Sequence, residues 1–105
     1  MSNSHHAPQQ PLRDINDILI RYIECYVAEH QGETGRDDTC TYLKGVEKAR
    51  EIIQDTQPDV KQINDILNNH MENYKKEAIY YDDKGTIYAY LKGVERARKI
   101  VQSHI

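Results

Sequence analysis

One segment of the sequence returns after 48 residues, and this repeat constrains the fold more than any other feature. Residues 41–53 read Thr-Tyr-Leu-Lys-Gly-Val-Glu-Lys-Ala-Arg-Glu-Ile-Ile, and residues 89–101 read Ala-Tyr-Leu-Lys-Gly-Val-Glu-Arg-Ala-Arg-Lys-Ile-Val. When residues 14–54 are aligned with residues 62–102 without a gap, 18 of the 41 positions are identical. The chain therefore contains one unit of structure twice.

Each unit has the hydrophobic spacing of two helices. In the first unit, apolar residues recur at intervals of three and four and predict a helix over residues 12–30. A turn with two glycines follows, and a second helix extends to about Asp55. The second unit repeats this pattern. Gly85 is expected to end its first helix and Thr86 to cap its second, which extends to about Ser103.

Two helical hairpins can bury each other's apolar faces in a closed bundle, whereas a solenoid needs neighbours on both sides of its inner repeats. We therefore predict an all-α fold, a tandem duplicated hairpin that forms a four-helix bundle with a pseudo-two-fold axis. Residues 1–10 are predicted to be a disordered tail. Residues 11–105 form one domain, made of hairpin 11–57 and hairpin 58–105. The apolar arc of the last helix spans about 200°, which leaves room for completion by a second chain in a homodimer.

Small residues recur in the middle of the repeated helices. Gly45 with Ala49, and Gly93 with Ala97, are four residues apart and so share a helix face. Glycine inside a helix costs about 1 kcal/mol relative to alanine, a cost that the close approach of a second backbone would offset. We interpret the four as close-packing residues, with a ligand against bare backbone as the alternative.

A polar pair occurs in both units where apolar residues are expected. In an antiparallel hairpin Arg50 stands level with Asn16, and Arg98 stands level with Asn64. Each arginine is predicted to reach its asparagine or the aspartate that follows it. One interpretation is a polar contact that fixes the register of the hairpin. The other is an arginine kept for a partner's carboxylate or for a phosphate.

The units differ most in the charge of one helix stripe. In the second unit the stripe is tyrosine followed by three cations: Tyr88, Lys92, Arg96 and Lys99. In the first unit it is mixed: Cys40, Lys44, Lys48 and Glu51. Many such stripes are only solvated faces. Tyrosine stacks on rings and Lys or Arg pairs with phosphate, so this stripe, with Tyr80, Tyr81 and Arg98, is our candidate binding site for a partner or an anionic ligand.

Composition and motifs argue against several functions. The net charge is −3, which disfavours a general nucleic-acid binder. The sequence has no apolar run of membrane-spanning length and no signal peptide, so we expect a cytoplasmic protein that does not enter the membrane. It has no metal-ligand or cofactor motif, and we expect neither a metal nor a cofactor.

Carboxylate spacing gives little support to catalysis. Glu24 with Glu29, and Glu47 with Glu51, invite comparison with all-α nucleotide pyrophosphatases, whose magnesium sites pair Glu-x-x-Glu with Glu-x-x-Asp. The spacings here are five and four rather than three. We therefore expect a protein that is not an enzyme, and an all-α nucleotide phosphohydrolase is only the third hypothesis.

A hairpin that ends in a Tyr-Leu-Lys-Gly-Val-Glu-x-Ala-Arg helix resembles the short helical accessory proteins of bacteriophages and other mobile elements. The resemblance covers both units and implies an accessory or inhibitory role exerted by binding a host protein. Our first hypothesis is thus a non-catalytic interaction protein with a protein partner. The alternative is a binder that sequesters a small anionic, nucleotide-like signal.

Overall fold

The computed structural model describes residues 10–30, 37–81 and 83–104, and within these ranges it is helical with no strand. The four helices are α1 (Gln10–Glu29), α2 (Asp37–Thr56), α3 (Val60–Ala78) and α4 (Lys84–Ser103). The all-α, four-helix prediction is confirmed. The predicted disordered tail lies outside the described residues except for Gln10, with which α1 begins.

The start of α4 differs from the prediction. Asp83 is the N-cap residue, and its Oδ1 accepts a hydrogen bond of 2.7 Å from the Thr86 N–H. Thr86 therefore donates to the cap instead of providing it, and Gly85 lies in the first turn of α4 instead of ending α3. The sequence Asp-Asp-Lys-Gly-Thr contains several capping residues, and the carboxylate took the role. Hydrogen bonds from Thr86 hold the pKa of Asp83 below its usual value.

All four helices contribute to one hydrophobic core. Its members are at most 6% exposed: Leu12, Ile15 and Leu19 from α1, Val46, Ala49 and Ile53 from α2, Ile63 and Leu67 from α3, and Val94, Ala97 and Val101 from α4. The wide apolar arc of α4 is buried or half-buried along its whole length. Its neighbours in the same chain cover it, so the arc does not require a second chain.

The backbones of α2 and α4 meet at two glycines. These two helices form the most extensive helix contact of the fold, while α1 packs mainly on α2 and α3 mainly on α4. A Cβ atom on Gly45 would overlap the carbonyl oxygen of Tyr90, and a Cβ atom on Gly93 would overlap the carbonyl oxygen of Tyr42. Either position therefore accepts only glycine without a shift of the backbone. Both alanines one turn further on, Ala49 and Ala97, are fully buried.

The same polar contact ties each antiparallel hairpin. Arg50 Nη1 donates to Asn16 Oδ1 at 2.8 Å, and Arg98 Nη1 donates to Asn64 Oδ1 at 2.6 Å. These are the contacts that the register predicts. Each arginine also pairs with the glutamate three residues before it. The arginine hydrogen bonds lower the pKa of both glutamates, which therefore stay ionised.

Candidate functional site

The basic stripe of α4 lies against tyrosines of the first hairpin. The Arg96 guanidinium lies over the ring of Tyr22, with its Cζ 5.9 Å from the ring centroid. Within the stripe itself, Lys92 lies over the ring of Tyr88, with its Nζ 5.1 Å from the centroid. The face of an aromatic ring attracts a cation, and these contacts orient two long, otherwise mobile side chains. The stripe is thus part of a surface that both hairpins build.

Two adjoining depressions run along this surface and share Tyr42 and Lys92. The first has a volume of ≈ 490 Å³ and is mainly aromatic; it is lined by Tyr26, Thr39, Tyr42, Gly85, Tyr88, Ala89 and Lys92. The second has a volume of ≈ 290 Å³ and is mainly charged; it is lined by Tyr22, Tyr42, Lys92, Glu95, Arg96 and Lys99. We call the two together the tyrosine groove, with an aromatic half and a basic half.

Hydrogen bonding and ring contacts order the tyrosine wall of the groove. The hydroxyl oxygens of Tyr22 and Tyr42 are 2.7 Å apart and share a hydrogen bond. The ring of Tyr42 lies 5.0 Å from that of Tyr26, which stacks on His30 at 4.0 Å. Burial, and then the hydrogen bond shared with Tyr22, raise the pKa of Tyr42 well above its usual value. The wall is therefore aromatic, hydrogen-bonded and uncharged.

Three cations and one carboxylate line the basic half. Within the described residues, no carboxylate lies at salt-bridge distance from Lys92, Arg96 or Lys99. Glu95 does line this half, but it accepts a hydrogen bond of 2.9 Å from Arg98 Nε and a second from Nη2 of the same side chain. The hydrogen bonds from Arg98, and also the charge of Lys99, lower the pKa of Glu95. Glu95 therefore partly offsets Lys99, while Lys92 and Arg96 face the groove without a salt bridge to a carboxylate of the described residues.

The structure brings together four of the seven residues predicted for binding: Tyr88, Lys92, Arg96 and Lys99. Arg98 lies apart from them, in the contact with Asn64 inside the second hairpin. Tyr80 and Tyr81 lie in the turn that precedes α4 and do not line the groove. Tyr22, Tyr26 and Tyr42 were not predicted for the site, because nothing in the sequence places the first hairpin beside the stripe.

A second surface is formed by three consecutive large side chains in the turn between α3 and α4. Ile79, Tyr80 and Tyr81 are 67%, 82% and 85% exposed. The backbone that carries them is hydrogen-bonded, from Tyr80 N–H to the Glu77 carbonyl at 3.3 Å and from Tyr81 N–H to the Ala78 carbonyl at 2.9 Å. We call this segment, residues 79–81, the aromatic turn. The aligned residues of the first unit are polar or small: Gln31, Gly32 and Glu33.

The second hairpin has a histidine where the first has Tyr22. His70 Nε2 lies 2.7 Å from the hydroxyl oxygen of Tyr90, and Tyr74 stacks on Tyr90 at 4.0 Å. Burial, and then the positive charge of Lys48, lower the pKa of His70. Burial also raises the pKa of Tyr90 to about 12. The neutral imidazole therefore takes the structural place of a tyrosine hydroxyl.

His70 should make the stability of the protein fall on mild acidification. The folded state disfavours its proton, so stability is complete above the unfolded pKa of about 6.5 and is lost as the pH falls from there toward the lower folded value. His70→Tyr, which copies Tyr22, should remove this loss. Thermal unfolding of both proteins between pH 7.5 and pH 5.5 is the measurement. The Tm of the original protein should fall more than that of His70→Tyr as the pH is lowered. A difference in Tm between the two proteins that stays constant with pH would contradict the prediction.

No group of three or more His, Cys, Asp or Glu residues suited to a metal ion occurs in the described ranges. None of the described helices is long and apolar enough to cross a membrane. Cys25 and Cys40 are exposed, and neither forms a disulfide bond. In comparisons with known proteins, no family model matches the chain, and no curated protein or solved structure is significantly similar to it.

Proposed function

We propose that this chain is a non-catalytic binding protein that acts on a partner protein, in the accessory or inhibitory role that its resemblance to phage-encoded helical proteins implies. The observation that carries the proposal is the exposure of Ile79, Tyr80 and Tyr81. Single exposed apolar residues are ordinary, but three in succession form a contiguous patch. Tyrosine is also one of the residue types enriched at the energetic centre of protein interfaces.

The fold does not need the aromatic turn. The side chains of residues 79–81 stand in solvent, and the residues aligned with them in the first unit, 31–33, are polar or small. Exposing three large apolar side chains to water does not stabilise the isolated protein. A function outside the chain therefore explains their presence, and the hydrogen-bonded turn displays them in a fixed position, which reduces the entropy lost on binding.

We propose that the aromatic turn inserts into an apolar cleft on a different protein. The three side chains can supply roughly 500 Å² of surface, given typical areas for side chains of this size. A stable dimer needs about 800 Å² from each partner, so two copies that met only through this turn would form too small an interface. A cleft on a partner protein can enclose the protruding turn from several sides and gain area from the flanking helices.

The test exchanges the aromatic turn for its counterpart in the first hairpin. The variant Ile79→Gln/Tyr80→Gly/Tyr81→Glu carries the side chains of residues 31–33. Tyr88→Ser is the control, since it removes a different tyrosine that is 63% exposed. Partners captured from a bacterial lysate are purified and titrated by calorimetry against all three proteins. We expect saturable binding that the turn variant weakens at least about tenfold and that the control retains, because hot-spot tyrosines commonly contribute this much.

Two results would refute the binding of a partner protein through the aromatic turn. One is a captured partner that binds the turn variant as tightly as the original protein. The other is a self-association in light scattering that the turn variant abolishes, which would make the turn a contact between copies. Magnesium-dependent turnover of a nucleoside triphosphate would refute the non-catalytic part. The homodimer remains a separate prediction, which light scattering of the unmodified protein also tests.

We further infer that the two hairpins descend from one unit and are related by a two-fold axis through the contact of Gly45 with Gly93. Three reciprocal features support this. The glycines face each other, the carbonyls that exclude a side chain from them belong to equivalent tyrosines, and both arginine-to-asparagine bonds recur. Equivalent substitutions in the two hairpins, such as Gly45→Ala and Gly93→Ala, should therefore change the free energy of unfolding by equal amounts.

A further inference from the structure

We infer that the tyrosine groove is a second, separate binding site, whose ligand is a nucleotide with its base in the aromatic half and its phosphate in the basic half. The site is distinct from the aromatic turn, so the two can be tested independently. The inference depends on the juxtaposition of an uncharged tyrosine wall and three cations, none of which forms a salt bridge with a carboxylate of the described residues.

The aromatic half has the size and lining that suit a flat heteroaromatic ring. Its volume of ≈ 490 Å³ falls in the range of about 300–1,000 Å³ that small-ligand sites occupy. Tyr42 and Tyr26 stand in ring contact on one side, and Tyr88 is exposed on the other. Stacking on tyrosine holds any base. The buried hydroxyl-bearing residue Thr39 adds a polar group to the lining.

The basic half has the chemistry for a phosphate. Arg96 and Lys92 are oriented by the rings beneath them, and Lys99 joins them one turn further along α4. Arginine and lysine form short, charge-assisted hydrogen bonds with phosphate oxygens. Lys92 lines both halves, which places it where the sugar and phosphate of one nucleotide would meet.

The first unit provides an internal comparison. It folds into the same kind of hairpin, but Cys40 stands at the position of Tyr88 and Glu51 at the position of Lys99. The packing of the hairpin therefore requires neither the exposed tyrosine nor the third cation. If this surface were only solvated, nothing would favour an exposed tyrosine and a third cation on the helix that faces the tyrosine wall.

A free nucleotide fits these observations better than a nucleic acid. Nucleic-acid binding relies on many phosphate contacts spread over an extended basic surface. Here the cations occupy one short groove on a chain with a net charge of −3. The groove has a place for one phosphate group and one ring, which is the composition of a mononucleotide.

The test is calorimetric titration of the full chain with AMP, adenosine and ribose 5-phosphate at low ionic strength. We expect AMP to bind and each of the two halves of the molecule to bind at least about tenfold more weakly. Lys92→Ala/Arg96→Ala should weaken AMP binding by at least about tenfold, because two charge-assisted contacts are lost. Both side chains are exposed, so the variant should fold, and circular dichroism verifies this.

The matched control is Lys44→Ala/Lys48→Ala, which removes the same charge from the equivalent positions of the first hairpin. It should leave AMP affinity within about twofold, since its effect is limited to screened long-range electrostatics. The turn variant should also bind AMP normally, so failure of this inference and failure of the proposed function are distinguishable.

Four results would overturn the inference. The first is no binding of AMP or of cyclic AMP at millimolar concentration. The second is equal loss of affinity in Lys92→Ala/Arg96→Ala and in the control. The third is an affinity for adenosine equal to that for AMP, which would show that the cations do not contribute to binding. The fourth is a short single-stranded oligonucleotide that binds far more tightly than AMP with a steep salt dependence, which would make the ligand a nucleic acid.

Discussion

Gly93→Ala is expected to destabilise the protein by about 2 kcal/mol or more, although alanine is the better helix former. The new methyl group would overlap the carbonyl oxygen of Tyr42 on α2. That oxygen belongs to the backbone and cannot rotate away, so α2 and α4 must separate and loosen the core between them. The gain of about 1 kcal/mol in helix propensity is too small to offset the loss.

Urea unfolding of Gly93→Ala beside Gly85→Ala separates the two effects. Gly85 also lies in α4, but a Cβ atom there would meet only Asp83 Oδ1, at an ordinary distance of 3.5 Å. Gly85→Ala should therefore keep or raise the stability. Gly45→Ala should cost as much as Gly93→Ala if the hairpins are two-fold related. An unchanged unfolding midpoint for Gly93→Ala would show that the helices do not meet as described.

Arg98→Met is expected to cost about 1.5 kcal/mol of stability while leaving the binding of AMP intact. The substitution keeps most of the apolar stem but removes the donors that hold Asn64 and Glu95. The Arg98 side chain is only 19% exposed, so water replaces these bonds incompletely. The expected loss is therefore larger than that of a surface ion pair, which is typically below about 1 kcal/mol.

Arg96→Met is the control for Arg98→Met, and it should show the reverse behaviour. Arg96 is exposed and touches the ring of Tyr22, without a carboxylate partner among the described residues. Its loss should change the unfolding free energy by less than about 0.5 kcal/mol but weaken AMP binding. If Arg98→Met instead removed binding at unchanged stability, the arginine would belong to the site, and the hairpin contact would be incidental.

The sequence sufficed for the four helices because each step from residues to helices was local. The three-and-four spacing of apolar residues predicted them. Register alone placed Arg98 level with Asn64 and so predicted their contact. The error at Asp83 has a local origin as well, because Asp83 and Thr86 are both good capping residues and the backbone geometry selects between them.

The site was only half predictable, since its other half depends on how the hairpins pack. The stripe from Tyr88 to Lys99 follows from helical periodicity within α4. Tyr22 reaches Arg96 only because α1 lies next to α4, and that neighbourhood is a property of the whole bundle. Arg98 was predicted both for the contact with Asn64 and for the candidate site, and its hydrogen bonds hold it at Asn64.

The shared core has a consequence for cooperativity. Repeat proteins often unfold in pieces, because each repeat holds together with its neighbours only. Here each hairpin supplies part of a single buried cluster, and separating the hairpins would expose apolar residues of both, from Leu19 to Val101. Unfolding should therefore be one transition for the whole chain. By mass action, any ligand of the folded state then protects every helix equally, so a nucleotide in the groove and a protein on the turn should raise the melting temperature additively.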